Sequence, residues 1–188
     1  MNTQHCFIVD VEATDKTPMT GVMTEFAVAH MGSEDTFYAH LVSSNPHPDI
    51  PALPVAVTGA DGRPLSDVYV VLNGKDRAHA LSEVETPYDV VSALESWLEA
   101  HSEGKRPVFV SDNNGYDAMW LNCFTDDAAG TVVFGHSSRR IGDFHAGLRR
   151  KWSDASSWKR LRRTAHTHHP VDDAVGNREA LRALLNLE

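Results

Sequence analysis

The first apolar run of the chain ends in two carboxylates that are separated by a single valine. Residues 6–11 are mostly apolar and β-branched, which predicts a strand over Cys6–Val11, and Asp10 and Glu12 stand at its end. Side chains two positions apart on a strand point to the same face of the sheet, so both carboxylates can converge on one point. Two like charges on a buried strand are costly unless a cation neutralises them, which favours a metal site. An exposed strand end is the alternative interpretation.

Two more strands and a long loop are predicted next. Val22–His30 and Thr36–Leu41 are apolar runs joined by short turns, so the first three strands predict an antiparallel meander. Residues 42–63 contain four prolines among serines, an asparagine and glycines, a composition typical of a long surface loop.

Helices dominate the rest of the chain. Thr86 before Pro87 is a helix-start signal, and apolar residues at helical spacing follow it. The predicted elements are a helix from Pro87 to about His101, a strand over Pro107–Val110, a helix from about Gly115 to Phe124, a strand near Val132–Phe134, a helix from about Ile141 to Trp152, and a helix from about Pro170 to Leu187. This order predicts an α/β fold with a mixed central sheet, an antiparallel three-strand start and flanking helices, in one domain over residues 1–188.

The charge of the chain is unevenly distributed. A formal net charge of −9 argues against a protein that coats nucleic acid or anionic membrane by bulk charge, because such binding needs excess Lys and Arg. Residues 139–163, however, carry nine basic and two acidic side chains, with Trp152 and Trp158 among them. Cations mixed with aromatic rings are typical of single-strand binders. A solvated helix face with two core tryptophans is the alternative interpretation.

The cellular compartment is predicted from the cysteines, the N-terminus and the length of the apolar stretches. Cys6 and Cys123 form neither a C-x-x-C pair nor a disulfide framework, which favours a reducing compartment. The N-terminus has no basic region before its short apolar run, and no apolar stretch approaches the ~18 residues of a membrane span. We therefore expect a soluble, cytoplasmic protein that does not bind membranes.

A second group of polar residues follows the predicted strand Pro107–Val110. Ser-Asp112-Asn113-Asn-Gly-Tyr-Asp117 puts polar side chains at the end of a buried strand, where ligand sites of α/β domains often lie. Asp117 falls in the first turn of an otherwise apolar helix. Asp112 or Asn113 could instead serve only as a helix cap.

A third group combines histidines and aspartates before the last helix. Pro170 suits the first helical position, so His168 lies on the preceding loop and Asp173 in the first turn. A loop histidine beside a metal-bound carboxylate is typical of a general base, because its intrinsic pKa is ~6.5. A zinc site of the H-x-H-x-D-H type is disfavoured, because Pro170 and Val171 replace the required Asp and His.

Taken together, the three groups resemble the motifs of the DEDDh 3′–5′ exonucleases, which have the ribonuclease H-like fold. Phe-Ile-Val-Asp10-Val-Glu12-Ala-Thr is similar to the first motif of that family, and the likeness extends from Phe7 to about Leu184. The Asn113-Asn-Gly-Tyr-Asp117 segment is similar to its N-A-x-F-D, and the last group to its H-x-A-L-x-D-A. Two positions depart from the pattern, since Asp15 replaces a common glycine and Asp112 a common histidine.

The resemblance implies an activity, cofactors and a site. It implies a metal-dependent 3′–5′ exonuclease that acts on 3′ ends of single-stranded DNA or RNA and releases nucleoside 5′-monophosphates. Two Mg²⁺ or Mn²⁺ ions suit an all-carboxylate ligand set. The implied metal ligands are Asp10, Glu12, Asp117 and Asp173, with His168 as general base. The expected substrate-binding residues are Ala13, Thr14, Asn113, Arg149, Arg150 and Lys151.

Other interpretations of the same residues remain open. One is a hydrolase of short or cyclic oligonucleotides, and another is a non-catalytic binding module that retains the fold. Proteins of the resembled family are often homodimers, so a homodimer is possible. The choice between DNA and RNA depends on loop contacts to the 2′-hydroxyl, which a sequence does not reveal.

Overall fold

The sheet at the centre of the molecule is mixed. The computed structural model describes residues 3–41, 68–83 and 86–186. In this part of the chain, seven strands form one sheet in the order β5-β4-β3-β2-β1-β6-β7. The strands are β1 (Cys6–Ala13), β2 (Met23–His30), β3 (Thr36–Leu41), β4 (Val68–Leu72), β5 (Ala80–Glu83), β6 (Val108–Ser111) and β7 (Ser138–Arg140). The helices are α1 (Pro87–His101), α2 (Asn114–Ala129), α3 (Ile141–Arg149) and α4 (Pro170–Leu185).

Strand direction determines which residues meet at one edge of the sheet. β1 to β5 pair antiparallel in sequence order, which confirms the predicted meander over the first three strands. β6 pairs parallel with β1, and β7 pairs parallel with β6. The carboxyl ends of β1, β6 and β7 therefore lie at the same edge, and Asp10, Glu12 and Asp112 come from these ends.

Two hydrophobic cores cover the two faces of the sheet. Phe7, Val9 and Val11 of β1 pack in the core that includes residues of α1 and α2. Ile8, which points to the opposite face, packs in the core that includes residues of α4. By the alternation of side chains along a strand, Asp10 and Glu12 share the face of Ile8 and thus point towards α4.

Several predicted elements are correct in type. Thr86 caps α1 through a reciprocal pair of hydrogen bonds with Asp89. α2 is longer than predicted, and α4 ends at Leu185, with Leu187 outside the described residues. The predicted loop over residues 42–63 also lies outside them. No helix in the described ranges is long and apolar enough to cross a membrane.

The predicted strand Val132–Phe134 is wrong. These residues form a turn that is closed by a hydrogen bond from the Gly135 N–H to the Val132 carbonyl, at 2.8 Å. Phe134 is buried against the rings of Phe7 and Phe109, so the apolar character of the segment serves core packing instead of strand pairing. The edge strand of this region is β7, whose polar Ser-Arg-Arg sequence gives no strand signal.

The predicted helix Ile141–Trp152 ends three residues early, and β4 and β5 were not predicted. α3 stops at Arg149 because Arg150 adopts a left-handed backbone conformation, with φ of 51°. Trp152 is therefore not helical. β4 and β5 are short and follow the proline-rich segment, where turn signals dominate the sequence.

Two glycines of α3 provide a test of its packing. A Cβ added at Gly142 would lie 2.4 Å from the backbone oxygen of Ala155, whereas one added at Gly147 would meet nothing within 4 Å. We expect Gly142→Ala to destabilise the protein by about 1–3 kcal/mol, because backbone must move. Gly147→Ala should stabilise it by about 0.5–1 kcal/mol through helix propensity. Equal melting temperatures for the two variants would contradict this packing.

Candidate metal centre

Carboxylates from the two ends of the sequence meet at the carboxyl edge of β1. Oxygens of Asp10, Glu12 and Asp173 all lie within 4.8 Å of one another. Asp10 and Glu12 come from β1, and Asp173 comes from the first turn of α4, which packs on the same face of the sheet. The structure therefore brings together three of the four carboxylates that the resemblance implies as metal ligands.

Asp117 lies beside this group but outside the set of three. It stands in the first turn of α2, which packs on the opposite face, and only 3% of the residue is exposed. Among the described residues, its Oδ2 atom has no hydrogen-bond donor. A buried carboxylate oxygen without a donor is costly, and a cation at the edge of the sheet would satisfy it.

The crowding of acids changes their protonation. Burial raises the pKa of Asp10 from 3.8 to about 9, and neighbouring carboxylates add to the rise. Those neighbours are Asp117, Asp173 and Glu12. Burial likewise raises the pKa of Asp117 to about 7. Such acids ionise together only when positive charge is supplied, so the oxygen donors fit a hard divalent cation such as Mg²⁺ or Mn²⁺.

Two histidines flank the carboxylates. His168 is exposed and has a left-handed backbone, with φ of 61°. Burial raises the pKa of Glu12, and the charge of His168 lowers it in part, so the two side chains lie close together. Nδ1 of His166 lies 2.6 Å from Oδ2 of Asp173, and the two imidazole centroids are 4.3 Å apart. The sequence alone assigns no role to His166, although its position two residues before His168 indicates that the two side chains could lie near each other.

The loop that carries these histidines is tied to α4. The backbone N–H of Thr167 donates to Oδ1 of Asp173 at 3.1 Å, and its hydroxyl donates to Asp172 at 2.7 Å. Lys75, in the turn after β4, pairs with Asp172 at 2.9 Å. These bonds place His168 next to the carboxylates, and the left-handed backbone at His168 is a strained conformation of a kind that recurs at functional sites.

Cations that the sequence did not single out surround Asp112. Lys159 Nζ lies 2.5 Å, and Arg162 Nη2 3.4 Å, from Oδ2 of Asp112. Arg140 donates to the backbone oxygen of Asp112 at 3.0 Å. Arg162 also donates to Asn177, one helical turn beyond Asp173 on α4, and its charge lowers the pKa of Asp10 against the larger effect of burial. The carboxylate of Asp112 is therefore already paired with the side chains of Lys159 and Arg162.

The expected substrate-binding residues lie in two places. Ala13 and Thr14 follow Glu12 at the edge of the sheet, and Thr14 is exposed. The Thr14 N–H donates to the Val22 carbonyl, and the Val22 N–H donates to the Thr14 hydroxyl, each at 3.0 Å. Asn113 is the residue before α2, and its exposed side chain makes no capping hydrogen bond. The cations lie at the C-terminal end of α3 and just after it, at Arg149, Arg150 and Lys151. In the described part of the chain, their side chains form no hydrogen bond or ion pair with the carboxylates.

The stability of the metal-free protein should depend on Asp10. A carboxyl whose pKa is higher in the folded chain stabilises that state while protonated, and this contribution is lost as the pH rises from the unfolded value of 3.8 towards about 9. In EDTA, we expect Asp10→Asn to melt above the wild type by a margin that grows by several degrees between about pH 5 and pH 8.

Differential scanning fluorimetry measures this margin. Asp126→Asn, which changes an exposed carboxylate of α2, is the matched control and should show no growing margin. Added Mg²⁺ or Mn²⁺ should raise the melting temperature of the wild type and not that of Asp10→Asn. A constant margin across this pH range would contradict the crowding of acids at Asp10.

No protein-family model matches the chain, and no curated protein is significantly similar to it in sequence.

Proposed function

We propose that the protein is a metal-dependent 3′–5′ exonuclease of the DEDDh type, with a ribonuclease H-like fold. The observation that carries the proposal is the meeting of Asp10 and Glu12 from the first strand with Asp173 from the last helix, within 4.8 Å. Buried Asp117 and the loop residue His168 adjoin them. The α/β architecture with a mixed sheet is compatible with the proposed fold.

The carboxylates have one shared task in this proposal. Asp10, Glu12, Asp117 and Asp173 would hold two Mg²⁺ or Mn²⁺ ions, which, when bound, activate water and stabilise charge on the phosphate. The high pKa of Asp10 means that this residue gives up its proton as a cation approaches. The rigid strand and helix hold the oxygens in position, so little ordering is needed on binding.

His168 is the proposed general base. A neutral imidazole accepts the proton of the attacking water while the water oxygen bonds to phosphorus. The bond from phosphorus to the 3′ oxygen of the preceding nucleotide breaks, and that oxygen takes up a proton from solvent, which releases a nucleoside 5′-monophosphate and leaves a new 3′ hydroxyl. Glu12, whose charge interacts with His168, stabilises the imidazolium that forms.

The proposal predicts that the strand is degraded from its 3′ end. Single-stranded DNA and RNA labelled at the 5′ end should yield a ladder that shortens from the 3′ end in Mg²⁺ or Mn²⁺ and not in EDTA. A blocked 3′ hydroxyl should slow the reaction, and Asp10→Ala should abolish it. A ladder that persists in EDTA, or in Asp10→Ala, would falsify the two-metal proposal.

The same assay separates the alternatives. Consumption of only very short or cyclic substrates would favour the small-substrate hydrolase. Binding of the strand without any turnover, in either metal, would favour the non-catalytic module. Parallel DNA and RNA substrates of one sequence give the sugar preference directly.

The role of His168 requires a separate variant. We expect His168→Ala to lower kcat by about 10²- to 10⁴-fold, the usual contribution of general-base catalysis, with metal affinity retained. His136→Ala, which alters an exposed histidine in the turn before β7, is the matched control. Isothermal titration with Mn²⁺ gives the affinity independently of activity. Equal kcat in the two variants would remove His168 from the proposed mechanism.

A further inference from the structure

An exposed surface on α3 combines large apolar side chains with unpaired cations. Phe144 and Leu148 are one helical turn apart and are 37% and 54% exposed, and Trp152, just beyond the helix, is 83% exposed. We call Phe144, Leu148 and residues 149–152 the α3 surface. Trp158 differs from Trp152, because it is fully buried. Of the two tryptophans in the basic segment, only Trp152 is available to a partner.

The cations of the α3 surface have no partner within the described part of the chain. The side chains of Arg149, Arg150 and Lys151 form neither an ion pair nor a hydrogen bond with its residues, and all three are exposed. The nearby acids are engaged elsewhere, since Asp143 pairs with Arg140, and Asp154 accepts from the Ser157 N–H. Three adjacent positive charges are therefore available to an anion.

A left-handed residue closes the turn that carries these cations. Arg150 has φ of 51°, a left-handed conformation that glycine adopts more easily and that ends many helices. The N–H of Lys151 donates to the Ala146 carbonyl at 3.0 Å, which closes the turn and holds residue 150 in that conformation. An arginine in this conformation is less favourable than a glycine, so Arg150→Gly removes the cation without straining the turn.

The position of α3 relates this surface to the metal centre. The helix begins at Ile141, directly after Arg140, whose side chain contacts the Asp112 backbone at 3.0 Å. Nine residues of helix rise about 12 Å, so the basic turn lies about one helix length from that edge of the sheet. Stacked nucleotides rise about 3.4 Å each, so the length of α3, from Arg140 to the basic turn, corresponds to roughly three or four nucleotides.

We propose that the α3 surface binds the single strand upstream of the 3′ end that the metal centre holds. Trp152 stacks on a base, and Arg149, Arg150 and Lys151 neutralise phosphates. The choice of a strand over a protein follows from the three adjacent cations without an acidic partner among the described residues, because a strand offers a phosphate at every nucleotide. This inference rests on the proposed exonuclease function and adds a second contact with the same substrate.

Binding to strands of different length tests the inference separately from hydrolysis. In the His168→Ala background, which should slow hydrolysis and retain the metal, fluorescence anisotropy in Mg²⁺ gives the Kd for labelled strands of about two and about twelve nucleotides. We expect Trp152→Ala to weaken binding of the long strand by about 5- to 100-fold and to leave the short one unchanged. Tyr88→Ala, which removes an exposed aromatic residue of α1, is the matched control and should change neither.

The cations are tested by the salt dependence. Arg150→Gly should reduce the slope of log Kd against log salt by about 0.7, the value for one phosphate contact on a single strand. The melting temperature should not fall, because glycine suits the backbone conformation. Lys105→Ala, which removes an exposed cation from the loop before β6, should leave the slope unchanged.

The outcomes separate this inference from the proposed function. Equal Kd values for wild type and Trp152→Ala on the long strand would overturn the inference, whether or not the protein is a nuclease, and would leave a protein partner as the occupant. A wild type that binds long and short strands equally would do the same. Absence of hydrolysis in Mg²⁺ and Mn²⁺, together with the expected binding differences, would overturn the exonuclease proposal alone.

Discussion

Repulsion among carboxylates at one edge of the sheet is the constraint on which the rest of the site depends. Asp10, Glu12 and Asp173 lie within 4.8 Å of one another, and burial with mutual repulsion raises the pKa of Asp10 to about 9. Such a group is stable only if protons or cations balance it. Among the described residues, Arg162 lowers the pKa of Asp10 against this effect, and the carboxylate oxygens suit a divalent ion.

The fold produces this arrangement from simple geometry. The alternation of side chains on β1 directs Phe7, Val9 and Val11 to one core and leaves Asp10 and Glu12 on the face that α4 covers. The parallel pairing of β6 with β1 brings Asp112 and the start of α2 to the same edge. Bonds between Thr167 and the first turn of α4 then fix the histidine loop.

Local signals explain which elements were predictable. The apolar runs of β1 to β3, the cap at Thr86 and the proline at the start of α4 are short-range features, and each gave the correct element type. β7 was missed because its pairing with β6 depends on neighbours and not on its own polar sequence. The segment Val132–Phe134 has the composition of a strand. It forms a turn instead, because a hydrogen bond from Gly135 closes it and Phe134 packs against the ring of Phe109.

The sequence by itself determined the residue types and spacings of the site, since D-x-E on a strand and H-x-x-x-x-D at a helix start are local patterns. Only the tertiary structure decided that residues 163 positions apart, Asp10 and Asp173, meet at one edge, because that contact depends on how α4 packs across β1. It also decided that His166 contacts Asp173, that Asp112 is held by Lys159 and Arg162, and that Trp158 is buried while Trp152 is exposed. Burial and long-range pairing are properties of the packed chain, and no local spacing specifies them.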